Sequence, residues 1–309
     1  MVLEIKDIKK NYGRKTALNN VNLTLTPGIH ALLGPNGAGK STLMNLITEN
    51  LIPDKGSIYY DKKEIHSMGK NYRSILGFMP QQQGLYDNFT AYGFLSYIAA
   101  LKGMDKKTAA SEIQRVLALV NLSDKESDKV SSFSGGMKQR LLIAQAIMND
   151  PEILILDEPT AGLDPKERIR VRNIVSEIAN EKIVIFATHV VSDIEHIARQ
   201  VILIKDGNIL KQLEPSLLVA ELNGKVYDLK ITENNLNEVK DTFIVSNISQ
   251  EGKYLNVRII SDIEPAGYSY RRVTPNLEDV YLYYFENNYS SGESSCDPGD
   301  SNSYLQVEG

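Results

Sequence analysis

Residues 34–42, GPNGAGKST, place Gly34, Gly39, Lys40 and Ser41 at the spacing G-x-x-x-x-G-K-[ST]. Glycines let a backbone wrap an anion so that successive N–H groups point inward, and a helix beginning at the lysine would add its positive end. That combination holds a phosphate. Lys40 would reach the β- and γ-phosphates of a nucleotide, and Ser41 would ligate Mg²⁺.

Two acids follow at ILILDEPT, residues 153–160. Asp157 ends an apolar run, where a carboxylate can bind Mg²⁺ directly or through water. Glu158 comes next and would lie near the γ-phosphate, placed to polarise a water for in-line attack. Two acids at a strand end are also what a surface turn or a helix cap looks like; the phosphate loop in the same chain favours chemistry. His189 stands just past the apolar run IVIFAT, where open parallel sheets gather ligands. Its imidazole could hold a γ-phosphate or a water, and taken alone it would equally be a solvated loop histidine. His30, His66 and His196 have no such context.

These groups need a scaffold that presents strand ends and helix starts on one edge. IHALL (29–33), ILILD (153–157) and IVIFAT (183–188) are continuous apolar runs, the pattern of parallel strands buried on both faces, with helical segments between them. The core therefore reads as α/β. Residues 2–9 and 21–25 alternate as half-buried strands do. From about residue 88 to 150 the pattern turns helical, with Ala109, Ile113, Val116, Leu117 and Val120 on one stripe, so a helical subdomain is inserted here. After about residue 212, KVYDLKI (225–231) and YLNVRII (254–260) alternate as strands. NLEDVYLYYF (276–285) puts Leu277, Val280, Tyr281 and Tyr284 on one helical face, with Thr274 and Pro275 as expected cap and first-turn proline. The Ser/Gly/Asp-rich end, residues 290–309, is expected to be disordered.

The stretch SSFSGGMKQR (131–140) reads by itself only as a second glycine-rich helix start. With the other pieces in order, the sequence resembles the nucleotide-binding subunit of an ATP-binding cassette (ABC) transporter over about residues 2–211. Tyr12 matches the aromatic that stacks on adenine, and Gly34, Pro35, Asn36, Gly37, Ala38, Gly39, Lys40, Ser41 and Thr42 form the phosphate loop. Gln81, with Gln82 and Gln83 adjacent, matches the glutamine that links metal and water to the membrane-facing subdomain. Ser134, Gly135 and Gly136 fill the signature motif, Asp157 and Glu158 the Walker-B pair, Asp164 the dimer-bridging loop, and His189 the switch histidine. The commonest signature is LSGGQ; here Phe133 and Met137 replace its first and last residues, and Met137 cannot offer an amide.

The resemblance implies a P-loop NTPase core over residues 1–211, with the helical subdomain at about 88–150, and a small C-terminal α+β extension over 212–289 like that of ABC-2-type drug, antibiotic and polysaccharide exporters. It implies ATP and Mg²⁺ as cofactors, with Ser41, Gln81 and Asp157 at the metal and Glu158, His189 and Gln81 in catalysis. Two copies would pair head to tail, the signature of one covering the nucleotide of the other, and drive a separate permease at the cytoplasmic face of the membrane. Gln81, Leu85, Tyr86, Phe89 and Tyr92 are the candidates for docking that permease, although aromatics at such spacing are more often core.

Composition fits this reading. The chain of 309 residues is 42% apolar and 24% charged, enough for a main core plus an appendage. A net charge of −5 argues against binding nucleic acid by bulk electrostatics. One cysteine, Cys296, excludes an internal disulfide and fits a reducing cytosol. The longest apolar runs are strand-sized, so contact with a membrane would come through a partner. A translation-type ATPase of the same family would carry tandem cassettes and a basic linker, and a chromosome-type one a long heptad insertion; the sequence has neither. A binding module without hydrolysis would be expected to lack Glu158 or His189.

Overall fold

The computed structural model describes residues 1–81 and 84–286. The expected disordered tail, Cys296, Gln82 and Gln83 lie outside the described residues.

An antiparallel hairpin opens the chain, β1 (Leu3–Tyr12) with β2 (Lys15–Leu25), and buries Leu3, Ile5, Ile8, Val21, Leu23 and Leu25 on one side. The register slips between Ile5 and Ile8, where Asp7 takes φ 51°, so the alternation shifts by one residue there. After β3 (Gly28–Leu33) comes α1 (Lys40–Ile47), then β4 (Lys55–Tyr60) and the short β5 (Lys63–Glu64). These last two strands complete a four-stranded arm in the order β2-β1-β4-β5. Short helices α2 (Ile65–Met68) and α3 (Lys70–Ser74) lead into β6 (Leu76–Met79).

The helical subdomain follows as α4 (Ala91–Leu101), α5 (Lys106–Leu119) and α6 (Gly135–Ala146). Thr90 caps α4 and Asp105 caps α5 with their side-chain oxygens, and Ile113, Val116, Leu117 and Val120 bury the stripe expected of them. Then come β7 (Ile153–Asp157), α7 (Pro165–Ile178), β8 (Ile183–Thr188), β9 (Gln200–Lys205) and β10 (Asn208–Leu213).

Six strands form the central sheet in the order β10-β9-β3-β8-β7-β6. All its pairings are parallel except β10 with β9, a hairpin at one edge. Every residue of β7 and β8 is buried, which is why both read as unbroken apolar runs. Their residues divide between two cores: Leu154, Leu156, Val184 and Phe186 face the helical subdomain and α7, while Ile153, Ile155, Ile183 and Ile185 face α1 and the arm. Each fully buried side chain of this size contributes about 1.5–3 kcal/mol. The sheet edge that carries the site is thus anchored from both faces.

The appendage comprises α8 (Pro215–Ala220), β11 (Val226–Ile231), α9 (Leu236–Thr242), β12 (Ile244–Glu251), β13 (Tyr254–Ile260), β14 (Ser269–Arg272) and α10 (Leu277–Glu286). Its antiparallel sheet, ordered β12-β13-β11-β14, has a small core of its own around Leu229, Val239, Val257 and Ile259. Its other side is continuous with the main core: Val226, Ile260, Leu277 and Val280 pack into the same cluster as Phe186. β12 and β14 gave no strand signal in the sequence because they are the two edges, largely exposed, and edge strands need little apolar patterning.

The start of α10 differs from expectation. Thr274 and Pro275 precede the cap. Asn276 is the capping residue: its Oδ1 accepts from the Asp279 amide at 2.9 Å, and Asp279 Oδ2 accepts from the Asn276 amide at 2.9 Å. The reciprocal box satisfies two amides at once, which a threonine two residues earlier cannot reach. Asp279 is buried and also pairs with Arg258 of β13 at 2.7 Å, fixing the helix to the sheet.

Candidate functional site

The loop between β3 and α1 closes on itself through left-handed backbone. Gly37 has φ 82° and Gly39 φ 112°. A side chain at Gly39 would also meet the Ala17 carbonyl at 2.7 Å, so position and conformation both demand glycine. Helix α1 starts at Lys40 with no side-chain cap, leaving its first amides free for an anion. Lys40 is 8% exposed and donates to the carbonyl oxygens of Gly34 at 2.6 Å and Pro35 at 3.2 Å. Burial pulls its ammonium below the usual lysine range, while Glu158 and Asp157 push the other way.

A cleft opens over this loop. It is lined by Tyr12, Lys15, Ala17, Pro35, Asn36, Gly37, Gly39, Lys40, Ser41, Thr42, Gln81, Asp157 and Glu158. Lys15 and Ala17 are the lining residues that the sequence did not single out; as ordinary strand residues of β2 they carry no motif. Tyr12, at the end of β1, is half exposed at the rim. Asp157 is buried, and its pKa is pushed up to about 6, first by burial, then by repulsion from Glu158, with Lys40 opposing. It is a carboxylate short of positive charge, as a cation ligand should be.

Glu158 leaves the sheet with φ 53°, a left-handed conformation that costs a residue of this kind about 1–2 kcal/mol. The turn is held by its amide donating to Ala187 O at 2.9 Å and by the Ala161 amide donating to its carbonyl at 3.1 Å. Its side chain is buried and meets the imidazole of His189, Nδ1 to Oε1, at 2.9 Å. The Thr188 hydroxyl lies 3.5 Å from the other carboxylate oxygen. Parallel strands β7 and β8, paired Asp157 to Ala187, place these loops side by side.

Ser134, Gly135, Gly136 and Asp164 do not line the cleft. Ser134 caps α6, its Oγ accepting from the Met137 amide at 3.2 Å, and Ser134 and Gly135 are exposed. Gly136 is buried for a steric reason: a side chain there would meet the Glu167 carboxylate at 2.5 Å. Arg140 Nε sits 3.4 Å from that carboxylate, while its guanidinium donates to the carbonyls of Val120 and Asn121. Phe133 is buried and Met137 half-buried against the same core, so both departures from the common signature are packing residues. Asp164 caps α7, accepting from the Glu167 amide at 3.0 Å. Tyr97 meets Tyr86 and Phe89 edge-on at the surface of the helical subdomain, with Tyr92 exposed and Leu85 partly buried against the core.

The sequence also gave no hint of Thr160 and Asp193. Both are buried, and the Thr160 hydroxyl donates to Asp193 Oδ2 at 2.5 Å. Among the described residues no helix is long and apolar enough to cross a membrane.

Comparison with known proteins agrees with the geometry. Residues 18–161 match the family described as ABC transporter. The ABC transporter ATP-binding protein YxlF of Bacillus subtilis is 32% identical over 296 residues, covering 91% of this chain and 98% of that protein. The Nod factor export ATP-binding protein I of Paraburkholderia xenovorans is 31% identical over 291 residues, 91% of this chain and 95% of that one. The dimeric structure of MJ0796, a bacterial ABC transporter cassette, superposes with a TM-score of 0.61 at 27% identity, over 69% of this chain and 98% of the other. The match covers most of the chain in sequence and the cassette in fold, and the chain belongs to the ATP-binding subunits of ABC transporters.

Proposed function

We propose that the chain hydrolyses ATP as a head-to-tail pair and drives export through a separate membrane permease. The observation that carries the pairing is the exposure of Ser134 and Gly135 at a helix start outside the cleft that Lys40 and Glu158 line. Such a start attracts anions, and here it lies outside the lining of the same chain's cleft. A two-fold related copy would lay each signature over the other's nucleotide, a self-complementary contact. The dimeric form of MJ0796 supports this arrangement.

ATP would place its adenine on Tyr12 and its phosphates in the cradle of residues 34–42. Mg²⁺ arriving with the nucleotide would be held by Ser41, Asp157 and Gln81, and needs only one or two protein carboxylates. When bound, it draws charge from the β- and γ-phosphates. Lys40 then exchanges its loop carbonyls for phosphate oxygens. Glu158, buried and held through Oε1 by His189, orients a water and takes its proton. Positioning and charge do the remaining work.

The export direction rests on likeness to the Nod factor export protein over 91% of the chain, appendage included. The exposed aromatics Tyr86, Phe89 and Tyr92 suit a permease segment, which would keep the subunit at the cytoplasmic face of the membrane. In Glu158→Gln, ATP binding should persist, gel filtration with Mg²⁺–ATP should give a stable dimer, and turnover should fall about 10²–10⁴-fold. Near-normal ATPase from that variant removes the role of Glu158; a monomer at all nucleotide concentrations removes the pairing.

A further inference from the structure

Two loops leave neighbouring strands at the catalytic edge, one carrying Glu158 to Thr160 and the other His189 to Asp193. They are tied twice. One tie is the contact of buried Glu158 with the half-exposed His189. The other is the bond from Thr160 to Asp193, in which both side chains are no more than 2% exposed. A buried hydroxyl–carboxylate bond is costly to open, because each partner would be left unsatisfied away from water.

The turn Val191–Asp193 is itself clamped. From α7, Arg172 donates to the Ser192 carbonyl at 2.5 Å. From the other side α10 packs directly on it, with Leu277 and Val280 in the same core cluster as Val191 and Ile194. Helix α10 is fixed in turn, because Lys205 of β9 reaches the carbonyls of Tyr284 and Phe285. Tyr281 lies within the field of Glu158, whose negative charge helps raise its phenol after burial and Glu286. The last described helix therefore lies behind the catalytic pair, at least 88 residues from it in sequence.

We infer that Asp193 is a positioning residue for ATP hydrolysis, and that α10 of the appendage sets the catalytic pair by holding the turn that carries Asp193. Asp193 touches no substrate; it fixes the spacing of the two loops and thereby where Glu158 and His189 meet. The inference rests on the proposed hydrolysis by Glu158. Misplacement of a reacting group by about 1 Å costs on the order of a hundredfold in rate, whereas phosphate binding by residues 34–42 does not depend on this spacing.

The test compares Asp193→Ala, Thr160→Val, their double variant, Asp193→Asn and Tyr281→Ala in the full-length chain. Turnover and the affinity of the single chain for Mg²⁺–ATP are measured for each. Asp193→Ala and Thr160→Val should each lower kcat about ten- to a hundredfold, with nucleotide affinity within about threefold of the parent. The double variant should be no worse than either, since both remove one bond. Asp193→Asn keeps an oxygen for the Thr160 hydroxyl and should recover most of the rate, which a protein merely failing to fold would not do. Tyr281→Ala should lower kcat in the same direction by a smaller factor. Unchanged kcat in Asp193→Ala, or kcat and affinity falling together without rescue by Asn, overturns the inference. An inactive parent chain that binds ATP instead overturns the proposed hydrolysis, so the two failures are distinct.

Discussion

Two glycine-bearing helix starts lie in this chain, and they use glycine for opposite reasons. At α1, Gly37 and Gly39 sit at φ 82° and 112°, so the backbone itself is bent around the place where a phosphate belongs. At α6, neither glycine is left-handed. Gly136 is there because Glu167 occupies the space of its side chain, and around the position of a side chain on Gly135 there is nothing within 4 Å. The first start is folded inward, uncapped and adjoined by a buried lysine. The second is capped by its own Ser134 and faces outward. One lines the cleft; the other does not. A glycine count alone does not separate the two, whereas the backbone conformation and the cap do.

Substitutions should separate them in turn. The largest effect is expected for Ser134→Phe, which blocks the outward face: turnover should fall on the order of a hundred- to a thousandfold while the single chain still binds ATP within about threefold, read by ATPase assay and by nucleotide titration. Loss of ATP binding in that variant would mean that the second start serves its own cleft, and the comparison would fail. Lys40→Ala acts on the first start and should weaken ATP binding itself, by about ten- to a hundredfold, the worth of a charge-assisted bond to phosphate. A smaller effect distinguishes the two by pH. Asp157 keeps its proton up to about pH 6 in the free protein, and a cation ligand must lose it. Lowering the pH from 7 to 5 should therefore weaken Mg²⁺–ATP binding by about tenfold, because only about a tenth of Asp157 is ionised at pH 5. The donors of the second start, a hydroxyl and amides, do not titrate in this range, so dimerisation corrected for occupancy should stay flat. Calorimetry at the two pH values reads the first, and gel filtration at saturating nucleotide the second.

The unevenness in what could be read beforehand has a physical origin. Strands β7 and β8 were legible because burial on both faces demands an unbroken apolar run, and the stripe of α5 because one buried face demands a helical period. β12 and β14 were not legible, since exposed edges impose no such pattern. The cap of α10 was misplaced by two residues: Thr274-Pro275 is a good local cap signal, but Asn276 wins through its reciprocal bonds with Asp279, which Arg258 holds from another strand. Met137, an odd residue in the signature, makes sense only as part of the core into which α6 packs.

The sequence by itself determined the chemistry of the cleft. A phosphate loop is nine contiguous residues, its function is carried by their own backbone, and its neighbours Asp157 and Glu158 are adjacent in the chain. Tertiary structure alone decided that Ser134 and Asp164 stand away from that cleft, that Thr160 bonds Asp193, and that α10 lies behind the turn following His189. The two contacts join residues 33 and more than eighty positions apart, and no local pattern encodes them: they follow from the parallel pairing of β7 with β8 and from which apolar faces the two cores had left to cover.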